Sequence, residues 1–274
     1  MNQGHSIGLF QRAVYSWLAL YLLAILLTGS AVWANASVQL FRPDHGVWRF
    51  TTQWEVNRFS PGAMHLLAAL TILCTLLLIR RHRWWLGLIV WLLFRIITHR
   101  TWLASNGGIQ LMENMLIWCA LMGNGTHPFI GTTAFWIARL QLLLAYAAAA
   151  AHKFTGTAWL DGSAVMMVAN DPGFSLGWLA GSPGLCTVLT YATLGFMTLF
   201  PLAIWWSPSR RVVLVIGVLF HLATAVFMGI PQMGLAFIAC YALWLGDDAT
   251  GLIDRVRTWF KVPPHPMPAP HSPA

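Results

Sequence analysis

Lys153 stands at the mouth of an apolar run, Gln141–Gly162, QLLLAYAAAAAHKFTGTAWLDG, in a chain that is otherwise overwhelmingly lipid-soluble. Such an amine either serves a function or snorkels to the membrane surface. The alanines before it offer no bulk to lie along, and a turn follows at once. His221, in Leu219-Phe220-His221-Leu222, is a second titratable group within an apolar run. It reads either as a core histidine hydrogen-bonded across helices or as a catalytic one. Glu113 lies well inside an apolar stretch, and Arg95 or Arg139 is its natural counter-ion. A charge at mid-bilayer costs about 2.5–3.5 kcal/mol, so these residues turn inward and find partners. A buried ion pair that holds helix register and a role in substrate or proton handling are both open for this set.

Spacing sharpens the picture. Arg139, Tyr146 and Lys153 are seven apart, which keeps them near one helical stripe with a drift of about 20° per heptad. At roughly 1.5 Å of rise per residue the ends of that stripe lie on the order of 20 Å apart. Alanines 147–151 keep the helix slim, so that neighbours approach closely. Gln110, Glu113 and Asn114 share a face at i, i+3 and i+4. No metal chemistry is indicated. Cys74, Cys119, Cys186 and Cys240 stand singly in apolar runs, without ligand spacing or a disulfide framework. Phosphate-loop, dinucleotide and zinc-protease motifs are absent from the sequence.

The elements that must position these groups are membrane helices. The chain has 274 residues, of which 58% are hydrophobic and 9% charged, where soluble domains carry about a quarter charged residues. Continuous apolar runs near the length of a hydrocarbon core recur along it, and lipid leaves backbone polar groups no partner outside the helix. The expectation is an all-α integral membrane protein, a polytopic bundle of about eight transmembrane or part-spanning helices in a lipid bilayer. The runs predict helices near 13–34, 61–79, 84–98, 109–123, 132–152, 184–206, 211–230 and 232–246. The third, fourth and eighth are short enough to be tilted, broken or re-entrant. The first is read as an uncleaved span, because its apolar stretch is longer than a signal core of about 7–15 residues.

The net charge of +8 has a topological meaning rather than a nucleic-acid partner. Arg12, Arg80-Arg81-His82-Arg83, Arg210-Arg211, Arg255, Arg257 and Lys261 all flank spans on the side of the N-terminus. The positive-inside rule makes that side, and both termini, cytoplasmic. Segments 35–60 and 153–183 are then external and long enough to cap the bundle. Trp17, Trp84-Trp85, Trp102, Trp205-Trp206 and Trp244 cluster near span ends, as interfacial belts do. Residues 1–261 form a single membrane domain, and 262–274, VPPHPMPAPHSPA, read as a disordered cytoplasmic tail.

Over residues 61–245 the chain resembles the horizontally transferred transmembrane (HTTM) family, which shares its membrane domain with the vitamin K-dependent γ-carboxylases. The resemblance rests on Arg139-x-Gln141-x4-Tyr146, the alanines, Lys153 and Trp159-Leu160-Asp161-Gly162-Ser163-Ala164, and on Phe220-His221 with Met228-Gly229-Ile230. Asn106-Gly107-Gly108-x-Gln110 and Asn170-Asp171-Pro172-x-Phe174 are similar to the sporulation-delaying-protein B type, membrane proteins that mature a secreted peptide toxin.

The resemblance implies a site in which Lys153 is the base coupled to oxidation of a reduced quinone and His221 donates to a developing oxyanion or a quinone oxygen. Burial against an apolar wall would suit a lysine to accept a proton. Arg139, Tyr146, Glu113, Gln110, Arg95, Trp159 and Asp161 would form a surrounding network that binds substrate or holds structure. The resemblance also implies the bacterial inner membrane, a small secreted peptide as partner, and a neighbouring maturation protein.

Three departures turn the expectation away from glutamate carboxylation itself. No lumenal substrate-holding domain is expected after residue 246, the Lys153–Trp159 interval is one residue longer, and Gly229-Ile230-Pro231 bends the seventh span differently. The expected function is an enzyme or maturation factor acting at the external face. The alternative is a non-catalytic scaffold, immunity factor, or assembly or transport subunit.

Overall fold

Proline opens five of the long helices, Pro128 at the start of the helix Pro128–Phe154 among them, and a side-chain cap opens two. Pro61, Pro183, Pro208 and Pro231 each stand in a first turn, where the missing N–H costs nothing and the fixed φ suits the helix. Ser60 accepts from the Ala63 amide at 3.2 Å, and Asn106 accepts from Gly108 and Ile109 at 3.0 and 3.2 Å. These caps satisfy donors that lipid cannot.

The computed structural model of the chain describes residues 3–28, 60–101, 105–123, 128–174 and 176–246. In chain order the helices are α1 (Gln3–Thr28), α2 (Pro61–Arg80), α3 (Trp84–Arg100), α4 (Gly107–Leu121), α5 (Pro128–Phe154), α6 (Thr157–Leu160), α7 (Ala164–Ala169), α8 (Pro183–Ala203), α9 (Ser207–Phe227) and α10 (Pro231–Leu245). A 3-10 turn at Gly177–Leu179 precedes α8, and there is no strand among the described residues. By length and hydropathy α1, α2, α5, α8 and α9 can each cross a bilayer, while α3 and α10 are shorter apolar helices. The chain is a multi-pass, all-α membrane bundle.

Packing follows the apolar faces. α1 lies against α2 and α10 and also touches α4; α3 bridges α2 and α4; α5 packs on α8 and α4; α9 packs on α10. Tyr15, Leu18, Phe94, Met112, Phe135, Leu142 and Phe200 are fully buried between them. Buried hydroxyls are satisfied within their own helices: Thr71 donates to Leu67, Thr75 to Thr71 and Thr190 to Cys186, at 2.7 to 2.9 Å.

Each of the eight expected helices has a counterpart, with two informative differences. The first begins ten residues earlier, because Gln3–Arg12 forms one continuous helix with the apolar run. Phe10 packs inward there while Arg12 stays exposed on the helix surface. Apolar-run counting misses such an amphipathic start. The segment 153–183 folds into α6, α7 and the 3-10 turn, and both helices contact α8.

Two tryptophans also depart from the belt. Trp17 is buried and donates its indole N–H to the Gln232 carbonyl at 2.9 Å, and Trp244 is buried in the core. Most of segment 35–60, Trp102, the cation cluster beyond residue 246 and the tail 262–274 lie outside the described residues.

Candidate functional site

Tyr146 sits at the middle of α5 and turns its ring into the bundle, stacked on Phe200 with centroids 4.0 Å apart. Its hydroxyl meets two groups at once, His221 Nε2 at 2.6 Å and the hydroxyl of Tyr241. His221 stacks on Phe237, 4.6 Å between centroids and 12° from parallel. Nδ1 of His221 is buried and has no hydrogen-bond partner among the described residues.

Two glycines let three helices close around this triad. A Cβ on Gly217 of α9 would overlap the Tyr241 hydroxyl, and one on Gly234 of α10 would overlap the His221 carbonyl. Close approach of α9 and α10 at these glycines therefore brings His221 and Tyr241 to the same Tyr146 hydroxyl. Tyr241 was not among the residues singled out in the sequence. A phenol inside the apolar run Pro231–Leu245 was its one signal.

A cavity of about 470 Å³ opens beside the triad. Lys153, Tyr146, His221 and Gln110 all line it, together with Asn114 and Gln141. Leu144, Met197, Met233 and Phe237 make its walls apolar. The Lys153 amine lies 4.5 Å from the centre of the Trp159 ring, a cation–π contact that ties it to α6 at the cavity edge. Asn114 donates its side-chain amide to the Gln110 backbone carbonyl at 3.2 Å, one turn back along α4.

Other singled-out residues go elsewhere. Glu113 pairs with Arg95, which settles its counter-ion. Glu113 is buried, whereas Gln110 and Asn114 are exposed at the cavity. The helical rotation accounts for this, because i and i+4 differ by about 40° while i+3 falls on the other side of i. Among the described residues Arg139 meets no carboxylate. It donates from Nε and Nη2 to the Leu243 carbonyl, at 3.0 and 2.7 Å, in the last turn of α10. Phe135, Trp136 and Trp244 ring its guanidinium within 4.2 to 5.0 Å. The charge thus caps the negative end of a helix dipole.

Asp161 does not line the cavity. Its carboxylate accepts from the Ser163 amide at 2.9 Å across a turn. The Ser163 hydroxyl, and then that amide, hold its carboxyl below the usual carboxylate range. Gly162 beside it has φ +81°, and a Cβ there would stand 2.8 Å from Thr187. Tyr191 donates to the Leu160 carbonyl at 2.9 Å and closes the same turn. Trp-Leu-Asp-Gly is therefore the hinge that docks α6 on α8.

Among the described residues no group of histidine, cysteine, aspartate or glutamate side chains is placed to hold a metal. No family model, curated protein or solved structure matches the chain.

Proposed function

We propose that this chain is a membrane maturation enzyme of the HTTM type, acting on a small secreted peptide at the outward face of a bacterial inner membrane. The observation that carries the reading is the convergence of Lys153, Tyr146 and His221 on one cavity with apolar walls. An amine and an imidazole on one desolvated site are suited to move a proton and to steady the charge left behind.

The two hydrogen bonds at the Tyr146 hydroxyl allow each residue a role. In the reading proposed, Tyr241 donates to Tyr146 and Tyr146 donates to His221 Nε2, directions that both contacts allow. The imidazole proton then stands on Nδ1, the atom without a partner. In this reading Nδ1–H donates to a carbonyl or oxyanion of the substrate, and Lys153 accepts the proton that substrate loses. Tyr146 and Tyr241 are positioning residues that hold the tautomer.

The cavity also fits the ring of a reduced quinone, through its apolar walls and the unpaired donor on His221. When bound, such a group supplies reducing equivalents. Arg139, Arg95 and Glu113 belong to the scaffold, since each is committed to a helix end or to the other. Lys153 and His221 carry the functional reading alone.

Mass spectrometry of peptides secreted by cells expressing the chain with a candidate peptide and neighbouring maturation protein tests this. A chain-dependent change in peptide mass, lost in Lys153→Met and in His221→Leu but kept in Arg139→Lys, is expected. Identical secreted masses with and without the chain would refute it.

A further inference from the structure

The three-residue turn between α2 and α3 concentrates charge that the bundle does not use. Arg81 and Arg83 have extended backbones, with φ −144° and −137°. Successive side chains of an extended segment point to opposite sides. His82 accordingly turns inward and stacks on Tyr15, 5.9 Å between centroids. Arg81 and Arg83 turn outward, and Arg80 is exposed beside them at the end of α2. None of the three guanidiniums has a side-chain hydrogen bond or ion pair among the described residues. Trp84 and Trp85 follow directly and are 49% and 51% exposed.

The other arginine-tryptophan turn behaves differently. Arg210 spends its guanidinium on the Ile204 and Trp205 carbonyls, at 3.0 and 3.2 Å. The α2–α3 turn thus holds its donors outward around the half-buried imidazole of His82, and two exposed indoles of the kind enriched at membrane interfaces follow it. Guanidinium forks match phosphate oxygens in a bidentate way.

We propose that Arg80, Arg81 and Arg83 with Trp84 and Trp85 form a binding site for the phosphate headgroup of an anionic phospholipid. The indoles lie against the glycerol region, and the lipid tails run down the exposed apolar faces of α2 and α3. Charge complementarity selects this occupant, since a zwitterionic headgroup presents a compensating cation to the same arginines.

Native mass spectrometry of the purified full-length chain, titrated with phosphatidylglycerol or phosphatidylcholine, provides the test. Phosphatidylglycerol is expected to bind more tightly. The triple variant Arg80→Gln/Arg81→Gln/Arg83→Gln should weaken it roughly a hundredfold, at about a tenfold loss or less per arginine. The triple Lys variant, which keeps the charge and controls for folding, should retain most of the binding. Equal binding of the two lipids, or unchanged phosphatidylglycerol binding in the Gln variant, overturns the proposal. Displacement of the lipid by millimolar inorganic phosphate also overturns it, since the turn would then read free phosphate.

Discussion

Arg95 and Glu113 show how a membrane interior settles its charges one residue at a time. Removing one partner of such a pair strands the other charge in a dry medium. We expect Glu113→Ala to destabilise the protein by about 3–5 kcal/mol, while the double change Arg95→Met/Glu113→Leu recovers most of that loss. Thermal unfolding in detergent distinguishes the two, and equal losses in single and double variants would count against a paired role. Arg139→Leu should cost about 1–3 kcal/mol by leaving the Leu243 carbonyl unsatisfied.

Asp161 carries a pH dependence of known sign. Its folded carboxyl titrates below the unfolded value, so its contribution to the Trp159–Gly162 turn is present above the unfolded value and fades as pH falls through the folded one. Full exposure keeps the effect small. An NMR titration of the carboxyl should place its midpoint below 3.8, and Ser163→Gly should move it back up.

At the scale of elements, the site exists because α9 and α10 touch backbone to backbone. Gly234→Ala forces a methyl group into the His221 carbonyl, and overpacking of that kind costs about 1–3 kcal/mol. It should also separate Tyr146 from His221. A shift of the His221 ring resonances without loss of helical circular dichroism is the expected signature. Unchanged resonances would mean that α10 can slide to absorb the methyl group.

The lengths and types of these elements were legible in the apolar runs, because lipid forces every spanning backbone into helix. Their ends were less so. α1 starts at Gln3 rather than after Arg12, since one polar face can ride outside while Phe10 packs inside.

For the whole molecule, the distribution of lysine gives a direct reading of orientation. Lys153 and Lys261 are its lysines, and on the proposed topology they face opposite sides. A membrane-impermeant amine reagent applied outside should label Lys153, and Lys153→Arg should abolish the signal. Labelling of Lys261 alone would invert the orientation.

Several features were determined by the sequence itself. The apolar runs demand a helical membrane bundle, and the heptad spacing turns Arg139, Tyr146 and Lys153 toward its interior. Which partner each polar group takes was decided only by tertiary structure. Glu113 could have met either arginine, and rotation of α4 against α3 chose Arg95. The partner Arg139 took instead, the Leu243 carbonyl, was not legible, because a helix-end carbonyl leaves no mark on residue identity. Tyr241 joined the site through close approach at Gly217, a contact between segments far apart in sequence. Periodicity reports the direction in which a side chain points along its own helix; what it meets there depends on how neighbouring helices are rotated and stacked, and packing sets that.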